Sequence, residues 1–177
     1  MIFRFTHKLG KKLRFIPFDT LPLHSNPFAD WTAHLFTAQR VQYIIITNTA
    51  SLYSMILYGK GITDDGTFIK WAISYMRDFM SHDDHDFIYE SLIAPEVGQV
   101  YLSKTLNRAV TGSMNDLVRI AKIQLTEHDM SPFDVSFQLN KVPMSMLNYD
   151  NPREAFESLK VSERDTIQRG RFENKGP

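Results

Sequence analysis

The segment 41–47 constrains the fold of this chain most, because it is apolar on both of the faces that a strand presents. Val41 and Tyr43 precede an unbroken run of isoleucines at positions 44–46. Side chains of a strand alternate between the two faces of a sheet, so such a run avoids water only where both faces are covered. The segment is therefore predicted to be a central strand of the core.

Hydrophobic periodicity predicts further strands and helices along the chain. Strands are expected over four other segments: residues 2–5, 31–35, 100–103 and 135–139. Helices are indicated over residues 50–58, 67–80 and 84–93, and a Ser-x-x-acid capping box predicts the start of another at Ser113. Because the strands and helices alternate irregularly, the predicted class is α+β, with a mostly antiparallel sheet and helices packed on one side.

Length and charge distribution predict one domain followed by a tail. The chain has 177 residues, within the roughly 100–200 residues usual for one domain. The patterned segments fall in residues 1–150, which are predicted to form a single α+β domain. Residues 151–177 are charged and poor in large apolar side chains, so we expect a short helix near 153–160 and then a flexible tail.

Composition excludes several classes of protein. Cysteine is absent, which excludes a disulfide framework, a Cys-ligated zinc site and a thiol nucleophile. Lys+Arg 20 and Asp+Glu 20 cancel, so the net charge does not indicate nucleic-acid binding. No apolar run approaches the roughly 20 residues that span a bilayer, and the N-terminal segment lacks the features of a signal peptide. A cytoplasmic protein without a membrane span is expected.

Residues 107–113 are the main candidate for a binding site. They precede the predicted helix start, where backbone N–H groups and the helix dipole attract anions. The candidate ligand-binding residues here are Asn107, Arg108, Thr111, Gly112 and Ser113. With one glycine and no Gly-Lys-Ser/Thr, the segment is not a Walker loop. A turn with a purely structural role is the alternative interpretation.

His34 and Arg40 are added to this candidate set. They lie near Trp31 around a predicted strand turn, and aromatic and cationic side chains together can clamp a nucleotide base or phosphate. Core aromatics with an accompanying arginine are the commoner arrangement.

The cluster 82–86 is the alternative site, for a metal ion. Its possible ligands include His82, Asp83 and His85, and imidazole with carboxylate suits zinc, manganese or iron. Acidic residues at the start of a helix, with solvated histidines, explain the same pattern without a metal.

A basic segment follows the first predicted strand. Lys8, Lys11, Lys12 and Arg14 alternate with apolar residues, and no acid occurs before Asp19. The pattern is typical of a short amphipathic helix, and it suits either a docking surface for phosphate or anionic lipid or a solvated face of a core element.

Two stretches resemble a family of small bacterial proteins of unknown function. One starts with the strand around Trp31 and ends near Tyr53, and the other is Asn-Arg-Ala-Val-Thr-Gly-Ser-Met-Asn-Asp at positions 107–116. The family has Ser where this chain has Ala109, so no hydroxyl role is expected there. The resemblance spans about residues 1–140 and implies a bacterial cytoplasmic protein of one domain, without implying an activity.

These patterns favour a noncatalytic binding module for an anionic small molecule or a protein partner, with no cofactor. The alternative is a metal-dependent phosphohydrolase that uses residues 82–86 and a metal-activated water. A homodimer formed through an exposed sheet edge is a third possibility.

Overall fold

Five strands form one mixed sheet in the computed structural model of the protein, which describes residues 1–161. The strands are β1 Ile2–Phe5, β2 Asp30–Ala38, β3 Val41–Asn48, β4 Ser54–Tyr58 and β5 Tyr101–Lys104. Their order across the sheet is β4-β3-β2-β1-β5. The β2–β3 and β3–β4 pairs are antiparallel, whereas β1 runs parallel to both β2 and β5.

Helices connect and cover these strands. They are α1 His7–Lys12, α2 Asp65–His82, α3 Asp86–Ile88, α4 Arg108–Thr126, α5 Pro132–Leu139 and α6 Pro152–Glu157. The helix expected over residues 84–93 is divided, because α3 continues as a π-helical turn over Tyr89–Ile93. Among residues 1–161, no helix has the length and hydrophobicity needed to cross a membrane. The α+β class and the single domain are confirmed.

The sheet carries a hydrophobic core on each face. On one face, Phe3, Trp31 and Ile44 pack with residues of α1 and α2. On the other, Ile45 and Ile56 pack with α4 and α5. The strand predicted over residues 41–47 is therefore covered on both sides from Tyr43 onward, whereas Val41 is 39% exposed. The expectation that helices pack on one side only is wrong, because a strand that is apolar on both faces needs helices on both faces of its sheet.

The segment 50–58 forms a turn and the strand β4, so the helix predicted there is wrong. The side chain of Asn48 organises the turn, because its Oδ1 accepts hydrogen bonds from the N–H groups of Ala50 and Ser51. The strand then pairs with β3, with Ile56 opposite Ile45. Tertiary pairing thus overrides a helical spacing of apolar residues.

The segment predicted as a strand over residues 135–139 is the helix α5, which covers the free edge of β4. Ser131 caps this helix by accepting the N–H of Asp134. The Ser136 hydroxyl then accepts the N–H of Ile56 at 2.8 Å, and the Asn140 side chain bonds both the N–H and the carbonyl of Ser54. Helix side chains therefore satisfy backbone groups that another strand would otherwise pair.

The domain includes the helix α6, which the sequence placed in a tail. Phe156 is 0% exposed, and its ring stacks on Tyr53 at 4.4 Å between centroids. Phe28 and Trp31 contact the same ring. The predicted boundary at residue 150 is therefore wrong, because the core extends at least to Phe156. The rest of the predicted tail, residues 162–177, lies outside the described residues.

Two helical glycines give opposite stability predictions. A Cβ on Gly10 in α1 would lie 2.9 Å from the backbone oxygen of Phe15, whereas a Cβ on Gly112 in α4 would have no neighbour within 4 Å. We expect Gly10→Ala to destabilise the fold by about 1–3 kcal/mol through overpacking. Gly112→Ala should stabilise it by about 0.5–1 kcal/mol, because alanine has the higher helix propensity. Urea unfolding of both variants measures the difference, and equal effects would show that Gly10 is not tightly packed.

Candidate functional site

The chain leaves the neighbouring strands β1 and β5 towards opposite faces of the sheet. After β1, α1 places Leu9 and Leu13 in one core, whereas α4, which follows β5, places Val110 and Met114 in the other. Because β1 and β5 are parallel, their carboxyl ends lie at the same end of the sheet. Connections that diverge in this way open a crevice at the strand ends, which is where sheets with parallel strands commonly bind ligands.

A cleft of about 220 Å³ lies at this point. Its polar lining residues are Thr6, His7, Thr20, Lys104 and Thr105. None of the described residues that line it is acidic; the remainder of the lining is apolar. Hydroxyl, imidazole and ammonium groups donate hydrogen bonds, so the cleft suits a small ligand that carries a phosphate or a carboxylate.

His34 lies behind this cleft. Its Nδ1 is 3.0 Å from the hydroxyl oxygen of Thr6, one of the residues that line the cleft. Partial burial lowers the pKa of His34, and the positive charges of Lys8 and Lys122 lower it further. The imidazole is therefore uncharged at neutral pH, chiefly because it is partly buried, and the two lysines add a smaller effect of positive charge. The positive charge of Lys104 in the cleft itself favours an anion over a cation there.

A fully buried arginine fixes the loop that forms one wall of the cleft. Arg4 makes a two-pronged pair with Asp30, with Nε–Oδ1 and Nη2–Oδ2 distances of 2.7 Å. Its remaining N–H groups bond the carbonyls of Leu21 and Pro22 and the hydroxyl of Ser103. Every donor of the guanidinium is thus satisfied, and the segment that follows Thr20 is attached to β1 and β5.

The predicted segment 107–113 is mostly helix. Asn107 is the N-cap of α4, since its Oδ1 accepts the N–H of Val110 at 3.0 Å, and the helix begins at Arg108. The helix start predicted at Ser113 is therefore wrong by more than one turn. Arg108 is exposed at the first helical position, three residues beyond Thr105 of the cleft.

The other residues of this segment are used within the helix. The Thr111 hydroxyl donates to the backbone carbonyls of Asn107 and Arg108. Ser113 is buried and its hydroxyl faces the sulfur of Met146 at 3.5 Å, while Gly112 is exposed. These groups do not form a separate pocket, so the neighbouring cleft is the better candidate for a site.

Arg40 and Trp31 lie apart from His34. Arg40 is exposed at the tip of the β2–β3 hairpin, where it and Gln39 both have positive φ angles, as a two-residue turn of this kind requires. Trp31 is fully buried and its indole N–H donates to the carbonyl of Phe28 at 2.8 Å. Of these three predicted neighbours, only His34 adjoins the cleft.

The cluster 82–86 is divided between solvent and core. His82 is exposed, with its Nδ1 2.7 Å from the carbonyl oxygen of Asp78. Asp83 and His85 are buried, and the Oδ2 of Asp83 lies 3.2 Å from the Nδ1 of His85. Within residues 1–161, no three His, Asp or Glu side chains are grouped so that they could hold a metal ion.

The buried carboxylate of Asp83 is paired with an arginine and accepts a hydrogen bond from a tyrosine. Tyr53 donates to its Oδ2 at 2.5 Å, and Arg153 of α6 donates to its Oδ1 at 2.6 Å. Burial raises the pKa of Asp83, but hydrogen bonds from His85 and Tyr53 and the charge of Arg153 outweigh burial and lower the pKa overall. Burial and the neighbouring carboxylate raise the pKa of Tyr53. The network therefore attaches α6 to the domain, with Glu157 bonding the other ring nitrogen of His85.

Sequence reasoning missed the cleft because its parts are distant in the chain. Thr6 and Lys104 follow two strands that were both predicted, but no local signal indicates that β1 and β5 are parallel neighbours. The basic segment after β1 was the nearest indication.

A protein-family model described as a domain of unknown function, DUF6933, matches residues 2–155. The match includes the strands, the cleft and most of α6 up to Ala155. No curated protein and no solved structure matches the chain.

Proposed function

The chain belongs to the DUF6933 family of domains of unknown function, and from its geometry we propose that it is a noncatalytic module that binds a small anionic ligand. The ligand-binding site is the cleft at the carboxyl ends of β1 and β5. Lys104 supplies the positive charge, and Thr6, Thr20 and Thr105 supply hydroxyl donors.

The divergence of the chain at these strand ends is the observation that carries the proposal. It creates a cleft whose described lining contains donors without an acidic side chain, and Lys8 and Lys122 add to the burial that depresses the pKa of the neighbouring His34. The described lining has no carboxylate to repel an anion, and its donors, Lys104 among them, suit the binding of one.

Two of the ligand-binding residues expected from the sequence remain in the proposed site or next to it. His34 contacts the cleft through Thr6, and Arg108 is exposed close to it along the chain. Asn107, Thr111 and Ser113 instead support the helix that follows. A bacterial cytoplasmic setting remains part of the proposal, on the resemblance of residues 107–116 and on the composition.

Calorimetric titration with inorganic phosphate and pyrophosphate tests the site. Lys104→Met removes one charge-assisted contact, worth about 1.5–3 kcal/mol, so affinity should fall roughly tenfold or more. Lys141→Met is the matched control, because Lys141 is also exposed but lies after α5 and is not among the residues that line the cleft. It should bind like the unaltered protein. Absence of binding to the unaltered protein, or equal losses in the two variants, would refute the proposal.

A further inference from the structure

The loop after α1 exposes several large apolar side chains. Phe18 is 87% exposed, and Phe15, Ile16 and Leu23 are 40%, 49% and 57% exposed. Single exposed apolar residues are ordinary, but four within residues 15–23 mark a surface that contacts something other than water.

Positive charge surrounds these apolar side chains. Lys8 and Lys11 are exposed on α1, and Arg14 is exposed just after it. The Lys104 ammonium lies 5.6 Å from the ring centroid of Phe18. The segment before Asp19 contains no acid.

Tight packing places the charged and apolar groups on one surface. The N–H of Phe15 donates to the carbonyl of Gly10 in α1 at 3.0 Å. Ile16 lines the same cleft as His7 and Lys104. The chain after α1 thus returns to the helix at Gly10, with Ile16 in the cleft that Lys104 also lines and Phe18 near the Lys104 ammonium.

We propose that this basic-apolar surface, formed by Lys8, Lys11, Arg14, Phe15, Ile16 and Phe18, docks onto an anionic lipid bilayer. The cations contact headgroup phosphates while Phe18 and Ile16 enter the interfacial region. A bilayer suits the surface better than a protein partner, because Phe18 protrudes with 87% of its surface exposed and with the Lys104 ammonium near its ring. Lipid can close around such a protrusion, whereas a rigid protein would need a matching pocket.

The proposal is independent of the ligand in the cleft. Apart from Ile16, which also lines the cleft, it depends on charged and apolar side chains outside the cleft, so vesicle binding and phosphate binding can fail separately. A protein that binds phosphate but no vesicle retains the proposed function and loses this inference.

Co-sedimentation with phosphatidylcholine vesicles, with and without added phosphatidylserine, tests the docking. The protein should bind only the anionic vesicles and should be released by high salt. Lys11→Glu/Arg14→Glu should weaken binding by about 30-fold or more, because the loss of each basic residue near an anionic surface lowers the affinity about fivefold and the new carboxylates are repelled.

Phe18→Ser tests the apolar contribution against a matched control. It should weaken vesicle binding roughly tenfold or more, because a buried aromatic side chain is lost. Phe87→Ser is the control, since Phe87 is 78% exposed on α3. It should bind vesicles unchanged. The inference is overturned if the unaltered protein does not bind anionic vesicles, or if Phe18→Ser and Phe87→Ser have the same vesicle affinity. It is also overturned if the surface binds only an acidic protein.

Discussion

Replacing Arg4 with methionine is expected to destabilise the fold by about 3–5 kcal/mol. Arg4 is 0% exposed and pairs with Asp30 through two hydrogen bonds of 2.7 Å. Its loss leaves the Asp30 carboxylate buried without a counter-charge, and it also releases the carbonyls of Leu21 and Pro22. Urea unfolding at neutral pH measures the loss.

A double variant separates the unpaired charge from lost packing. Arg4→Met/Asp30→Asn removes both charges and should recover part of the stability that Arg4→Met alone loses. Because Asp30 also accepts the N–H of His24, an asparagine oxygen can keep that bond. A loss below about 1 kcal/mol for Arg4→Met, as at an exposed pair, would mean that this residue does not anchor the cleft wall.

Phe156→Ala is expected to destabilise the fold by a similar amount, about 3–5 kcal/mol. The ring is fully buried and contacts Phe28, Trp31 and Tyr53, so the truncation leaves a cavity among large aromatic side chains. Thermal and urea unfolding both measure the effect.

Phe87→Ala is the control for this truncation. Phe87 is exposed on α3, so its replacement should change stability by no more than about 0.5 kcal/mol. If Phe156→Ala were equally mild, α6 would contribute nothing to the core, and the boundary predicted at residue 150 would be right after all.

The central strand was predictable because its signal is local. The apolar residues of 41–47 specify burial on both faces, and a short turn before them specifies the hairpin with β2. The same reasoning failed for β4, since Leu52, Met55 and Ile56 have the spacing of a helix. Only the pairing of Ile56 with Ile45 decides that segment, and the pairing is a tertiary event.

The sequence of α5 contains a helix-start signal, but a strand-like alternation of apolar residues outweighed it in the prediction. Ser131, Pro132 and Asp134 form a helix start, with the serine as N-cap and the proline in the first turn. The alternation of Val135, Phe137 and Leu139 pointed instead to a strand. The alternation has a physical reason, because α5 lies at a sheet edge where Phe137 packs against one core and Val135 belongs to the other.

The candidate site was less predictable than the fold. Polar residues of 107–113 were singled out because the sequence placed a helix start at Ser113, whereas Asn107 caps that helix. The cleft instead depends on contact between β1 and β5, with Phe5 opposite Lys104. Sequence patterning indicates such strands but does not specify which pairs of distant strands are neighbours.

An NMR titration of backbone amides with pyrophosphate locates the bound anion residue by residue. Saturable shifts should concentrate at Thr6, His7, Thr20 and Thr105, and in Lys104→Met the same shifts should need roughly tenfold more pyrophosphate or higher to reach saturation. Shifts confined to the exposed start of α4, or weak changes spread over every surface lysine without saturation, would remove the strand-end cleft as the binding site of this protein.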